Sequence, residues 1–570
     1  MAGWSTLVRR TGGLLDTLVR WVRLPRPVPG PGRRFVIIQV DGLSHEALEQ
    51  ALARGYMPAT ARLLRRGRFR LTRIPVGLPT STPAFQAAIM YGGPVDIPAF
   101  EFLDKRTGEY LWFPRPWASA RVEAAHAEGR RGIMRGGRTY GCVFGGGAGD
   151  TILTLAHLLR PWPLWGRFGI RARGGPLVLL GWVSLKMIGV AVVEFLGWTG
   201  RALRDFALGS VIPTPKRLLT RLVISGWLRE LFTLGVTQDI YAGVPALYVN
   251  FVDYDVPAHA LGPGHPAALR ALRLVDASVR DVWRAARRVP EFRYDVFILS
   301  DHGQIRSIPF EAVEGTPSAA DAVLEVFREV ARARSPEAAS VPAGAPDTVA
   351  GQWSLGPVWQ RHLAYLEPRA RERNALWAGP LCVVPAGPNI NVYLTDVKTH
   401  AAVEEIEGRY PSVLARLSRH RAIGLVLARG SGGPVCYYRG AALRIPPPPG
   451  PTGCPLFDRT DRDLVVREVQ NLLAMPSAGD IVLYGHYTAW GCVNFLGERG
   501  SHAGPSEDEL YGFIMTPPGV EFDFRSVDGP AGLYRFFLGY QDAACEARGT
   551  DDEQRAASGH DVQHPPESRP

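Results

Sequence analysis

The sequence predicts an α/β protein: a doubly wound sheet with helices on both faces, plus an apolar helical insertion and a smaller cap region. Three observations carry this expectation. Apolar runs of four to eight residues recur along the chain, bounded by polar residues, as strands buried on both faces require. Between them, apolar residues recur at three- and four-residue spacing, as on one face of a helix. The two kinds of segment alternate, and strand–helix alternation builds a sheet covered on both sides. With 570 residues, 46% of them hydrophobic, the chain has material for large cores and is not disordered over most of its length.

The elements follow in order. Residues 1–33 form an amphipathic segment and a linker. Trp4, Leu7, Leu14, Leu15, Leu18, Trp21 and Val22 can share a helical face, with Arg9, Arg10, Arg20 and Arg23 off it. That pattern suits an anionic membrane interface, and equally a helix docked on its own protein. Pro25–Gly32 ends it. Nothing there reads as a cleavable signal peptide, because Asp16, Arg20 and Arg23 break the apolar stretch.

The first buried strand is Phe35–Val40, followed by a helix at His45–Ala53. Further strands are expected at Ala246–Val252, Val296–Ser300, Val383–Pro385 with Asn391–Leu394, and Ile481–Tyr484. The clearest helix is Pro266–Arg288, with Leu269, Leu272, Val275, Val279 and Val282 on one face. The catalytic α/β domain is thus expected in two parts, 34–117 and 241–546, the second with a cap-like insertion at about 304–375. Residues 118–240 form the apolar insertion, and 547–570 a polar, disordered tail.

Pro176–Leu196 is the most hydrophobic window, but Lys186 and Glu194 interrupt it. One membrane crossing there would also separate the candidate site residues before it from those after it. A helical subdomain remains, lying in the membrane interface with Trp162, Trp165, Trp182 and Trp198, or capping the site.

Charge and cysteines narrow the classes. The net charge of +11 is carried almost wholly by arginine, with no long basic run and no nucleic-acid-binding motif. An anionic membrane surface or a phosphorylated substrate fits that balance. The six cysteines include no CxxC pair, so no zinc ribbon or thioredoxin-type site is indicated, and they read as thiols of a reducing compartment.

The candidate chemistry sits at strand ends, where open α/β sheets place their sites. Asp41 follows the first strand. Asp255 and His259 follow Ala246–Val252, Asp301 and His302 follow Val296–Ser300, and His502 lies in GERGSHAG. One strand-end Asp is ordinarily a helix cap, and one His an ordinary surface or core residue. Four such motifs, all Asp and His, point to metal ligation by carboxylate oxygen and imidazole nitrogen.

The set VDG (40–42), PTSTPAF (79–85), DVPAH (255–259), SDHG (300–303) and GSHAG (500–504) resembles the alkaline phosphatase superfamily, and within it the type I phosphodiesterase/nucleotide pyrophosphatase branch. The resemblance covers about 34–117, 246–303 and 376–518. It implies an alkaline-phosphatase-like sheet and two Zn²⁺, with Mn²⁺ or Fe as alternative occupants. One metal would be held by Asp41, Asp301 and His302, the other by Asp255, His259 and His502.

The resemblance also implies a hydroxyl nucleophile among Thr80, Ser81 and Thr82. Spacing to Gly92 selects Thr82, and alignment on Pro83 selects Ser81 as runner-up. No cysteine lies near 80–90, so the sulfatase pattern is absent, as are ligands for a third metal.

The expected activity is two-metal phosphodiesterase or pyrophosphatase hydrolysis through a covalent phosphoenzyme. A headgroup transferase or phosphomonoesterase is the alternative within the superfamily, and an inactive membrane-attached scaffold the alternative outside it. The expected substrate is a phosphate ester, a nucleotide or a lipid-linked headgroup. The expected location is membrane-associated, peripheral or interfacial, on the cytoplasmic side. Lys105 and Arg115 could meet a substrate phosphate but are expected at the surface, and His486 could approach the site but is expected in the core or at the surface.

Overall fold

The computed structural model describes residues 33–159, 227–315, 318–334 and 375–540, with Gly181, Leu185 and Thr199. The amphipathic N-terminal segment, nearly all of the Pro176–Leu196 window, most of the cap-like stretch 304–375 and the tail lie outside the described residues.

Arg34–Val40 is the hub of a seven-stranded, mostly parallel sheet. It runs parallel to Ala246–Phe251 on one side and Tyr294–Leu299 on the other. In that register Val40 faces Phe251, and Gln39 faces Leu299. The three strands therefore end at one level. Tyr511–Thr516 and Arg70–Pro75 extend one edge in antiparallel fashion. Arg138–Tyr140 and Asp150–Ile152 extend the other in parallel.

Period-two alternation sends the side chains of the hub strand to two cores. Val36, Ile38 and Val40 join Leu272, Val275 and Val279 of the helix Pro266–Arg287 on one face. Phe35 and Ile37 join Phe85 and Ile89 of the helix Thr82–Tyr91 on the other. Helices thus cover both faces.

Two boundaries differ from expectation. Arg138–Tyr140 and Asp150–Ile152 are strands of the main sheet, and the helix Arg229–Tyr241 is buried on every side. The ends of the presumed 118–240 insertion therefore belong to the catalytic core. Moreover, Leu381–Pro385, Asn389–Leu394 and Ile481–Gly485 do not join the main sheet. They form a second seven-stranded sheet, antiparallel throughout, with Ile423–Gly430 and its hairpin. Among the described residues no helix is long and apolar enough to cross a membrane.

Candidate metal centre

The common level of the three central strands explains the site. Asp41 follows Val40, Asp301 lies two residues past Leu299, and Asp255 four past Phe251. The chain after Val40 must turn close over its neighbour, and this requires a glycine. Gly42 has φ +71°, and a Cβ there would lie 2.5 Å from Asp255 Oδ1. Its amide donates to Asp301 Oδ1 at 3.3 Å. Asp255 opens the helix Asp255–Leu261, so His259, one turn on, shares its face, with Nε2 3.5 Å from Asp255 Oδ2.

His502 comes from farther along the chain. Gly500–Ser501 pairs with Ile305–Arg306, just past the Asp301–His302 turn, and so draws the two loops together. Ala503 beyond it is held at φ +96°, a conformation that costs a non-glycine residue about 1–3 kcal/mol. Thr80 fastens that strained turn. Its Oγ1 accepts from Ala503 N at 2.9 Å and donates to Gly504 O at 3.1 Å. Glu509 also accepts from Gly504 N, at 2.8 Å. The Thr80 hydroxyl is therefore engaged in holding the His502 loop.

All six expected ligands converge. Ligand atoms of Asp41, Asp301 and His302 lie within 4.8 Å of one another, as do those of Asp255, His302 and His502. The second trio differs in one member from the expected Asp255, His259 and His502. His302 stands between the two groups, its ring stacked on that of His502 at 3.8 Å, while the rings of His259 and His502 are 4.9 Å apart.

Each imidazole has its Nδ1 against a backbone carbonyl: His259 at Gly500 O (3.1 Å), His302 at Gly303 O (3.1 Å) and His502 at Thr80 O (2.8 Å). A carbonyl only accepts, so each Nδ1 carries a proton and each Nε2 is the nitrogen left for a cation. Asp301 Oδ2 is buried and makes no hydrogen bond. Three oriented imidazoles, three carboxylates and an orphaned buried oxygen fit divalent cations well.

The electrostatics agree. Burial, then the neighbouring Asp41, pushes the Asp301 carboxyl up to about 7. Burial likewise raises Asp255. Burial alone would depress His302, but Asp301 and Asp41 outweigh it and carry the ring up to about 10. His502 is driven well below the usual range by burial and by the other two imidazoles. Carboxylates crowded so closely form a site suited to cations.

Of the two nucleophile candidates, Thr82 meets this cluster. Its Oγ1 donates to Asp41 Oδ1 at 3.3 Å and lies 3.2 Å from His302 Nε2. It is the first residue of the helix Thr82–Tyr91, which ends at Gly92 with φ +82°. The Ser81 hydroxyl is fully buried and makes no hydrogen bond.

Other residues fall outside the centre. Lys105 binds Asp480 in a buried pair at 2.8 Å, and Arg115 is buried beside the Trp112 ring, so neither is a surface cation. Three supporting residues are not evident from sequence. Asn250 Nδ2 donates to Asp41 Oδ2 at 2.6 Å, Gln304 donates to Asp255 Oδ1, and Glu498 Oε2 lies 3.1 Å from His259 Nδ1. Their only signal is position, at a strand end or beside a ligand motif.

Residues 201–341 match the family model "Type I phosphodiesterase / nucleotide pyrophosphatase", a span holding Asp255, His259, Asp301 and His302. Solved structures similar to the chain include phosphonoacetate hydrolase from Sinorhizobium meliloti 1021 in complex with phosphonoacetate, at 16% identity and TM-score 0.44, and the same enzyme with phosphonoformate, at 15% and 0.42. Each alignment covers 92% of this chain and 97% of that chain. No curated protein matches. Over residues 201–341 the chain thus resembles the type I phosphodiesterase/nucleotide pyrophosphatase family.

Proposed function

We propose that this chain is a two-metal, zinc-type phosphodiesterase or pyrophosphatase in which Thr82 attacks phosphorus and forms a covalent phosphoenzyme. The observation that carries the reading is the place of Thr82 Oγ1 between Asp41 and His302, at the first turn of a helix. Asp41, Asp301 and His302 would hold one cation, and Asp255, His259 and His502 the other. Such cations neutralise the phosphoryl oxygens and lower the pKa of a bound hydroxyl.

The chain's own residues do the rest. The free amides of the first helical turn and the positive end of the helix dipole would favour a phosphate there. Asp41 accepts the hydrogen bond of the Thr82 hydroxyl and so orients it. Oγ1 bonds to phosphorus as the bond to the leaving alcohol breaks, and water, or an acceptor alcohol, then takes the phosphoryl group from Thr82. The expected substrate is a nucleotide or a lipid-linked phosphate ester. The Trp, Leu and Arg pattern of the N-terminal segment supports a membrane-interfacial setting for it.

Thr82→Ala in the purified, metal-loaded protein is expected to lower turnover of an aryl phosphodiester by about 10³-fold or more. Ser81→Ala is expected to retain most of it. Full activity of Thr82→Ala would refute the assignment, and loss confined to Ser81→Ala would move the role to Ser81.

A further inference from the structure

The helix Thr82–Tyr91 also borders a cavity of about 710 Å³. Ala84 and Ala88 of that helix line it, with Leu78 before the helix and Met475 just past the helix Arg462–Ala474. These four side chains are buried yet face open space. Among the described residues no Phe, Tyr or Trp lines the cavity, so its apolar wall is aliphatic. The volume falls within the roughly 300–1,000 Å³ of small-molecule sites. Gly93 and Pro94, both exposed, stand at its edge.

A second lobe of about 470 Å³ adjoins the first and shares Gly93, Arg130, Ala531 and Arg535 with it. Arg130, Arg131 and Arg535 line this lobe beside Tyr91, Tyr534 and Leu538, and among the described residues no carboxylate does. Gly129, at φ +67°, turns the chain after the helix Pro116–Ala127 and brings Arg130 to the end of the helix Thr82–Tyr91. There, among the described residues, Arg130 donates only to carbonyls, Gly92 O at 3.4 Å and Pro94 O at 3.2 Å. Arg535 lies 3.9 Å from Asp528, with side chains 70% and 64% exposed, and a pair so solvated binds weakly.

The carboxylates deeper in the first lobe are already engaged. Asp96 accepts from Ser477 N, Ser477 Oγ and Arg106, and Glu468 accepts from Leu78 N and Arg467. The groove thus joins an aliphatic lobe, its acids satisfied, to a basic lobe in which Arg130 has no carboxylate partner.

We propose that the two lobes form one binding site for a single-chain amphiphilic anion, an aliphatic chain that ends in a carboxylate. The chain lies against Leu78, Ala84, Ala88 and Met475 and so leaves water. The head meets Arg130 and Arg535, where a guanidinium fork fits a carboxylate in bidentate fashion. One negative charge completes the balance at Arg130. The wall at Leu78 and Pro79 runs straight into Thr80, which fastens the His502 loop, so the occupant borders the segment that supports the metal centre.

Isothermal titration calorimetry of the full-length, metal-loaded protein with decanoate, below its micelle concentration, tests this. One saturable site per chain is expected. Acetate, which lacks the chain, and decyltrimethylammonium, which reverses the charge, should bind far more weakly. Ala474→Trp, at an exposed position on the aliphatic lobe, should abolish decanoate binding by filling the lobe. Arg130→Gln and Arg535→Gln should each weaken it by about 10-fold. Tm measured on each variant separates loss of the site from loss of the fold, and the exposed Arg535 side chain can be changed without disturbing the core. Absence of saturable decanoate binding would overturn the proposal. So would equal binding of acetate or decyltrimethylammonium, or unchanged affinity in folded Ala474→Trp and Arg535→Gln.

Discussion

His302 and His502 stack with ring centroids 3.8 Å apart and planes 22° from parallel. Two imidazolium rings would repel at that distance. Burial and the other imidazoles disfavour a proton on His502, while Asp301 and Asp41 favour one on His302. A cation bound at Nε2 would replace that proton and compensate the same carboxylates.

Added Zn²⁺ is therefore expected to stabilise the protein. The gain should reach about 2.7 kcal/mol at a free concentration of 100 Kd, read as a rise in Tm by calorimetry and reversed by a chelator. Because His302 adjoins both trios, His302→Ala should reduce bound metal more than His259→Ala does, as measured by elemental analysis. Equal metal content in the two variants would contradict this.

Asn250 holds Asp41 from the side away from Thr82, donating to Oδ2 while Thr82 donates to Oδ1. Asn250→Leu should weaken metal affinity about 10- to 100-fold, as loss of such supports generally does. Competition against a chromophoric chelator measures it. Unchanged affinity would show that Asp41 needs no bracing.

Lys105 separates stability from chemistry. Its partner Asp480 also accepts from Leu394 N and Ala401 N. Lys105→Met leaves a buried carboxylate without its cation, which should lower stability by about 3–5 kcal/mol. Turnover per folded molecule should stay near that of the parent, since the Lys105 ammonium binds Leu394 O and Asp480 and no member of the cluster. A large fall in turnover at full folding would place it in the site.

Glu509 gives a pH dependence. Burial raises its carboxyl from 4.5 to about 7, against the donors Ser506 and Gly504. Between those values the folded chain holds a proton that the unfolded chain has released. This contribution is fully present below pH 4.5 and is lost as pH rises to about 7, by at most ~1.4 kcal/mol per pH unit. Denaturant titrations of the parent minus those of Glu509→Gln should show that falling slope. A flat or rising difference would contradict it.

The site was more legible in the sequence than the fold around it. Asp41, Asp301 and Asp255 stand out because each follows a readable apolar strand, and the register of three parallel neighbours brings those ends together. The helix Thr82–Tyr91 with Gly92 at its end follows from the resemblance and its nucleophile-to-glycine spacing, rather than from local pattern. The second sheet was not. Val383–Pro385, Asn391–Leu394 and Ile481–Tyr484 are buried on both faces, and such strands look alike whether their partners run parallel or antiparallel. The sharing of His302 and the amide supports at Asn250 and Gln304 depend on contacts between distant segments, which no local pattern encodes.

The most direct measurement is rapid acid quench of the metal-loaded protein during turnover of a phosphodiester, with phosphopeptides mapped by mass spectrometry. A phosphoryl group is expected on Thr82, absent from the apo protein and from Thr82→Ala. A phosphoryl group on Ser81, or undiminished turnover in Thr82→Ala, would contradict it.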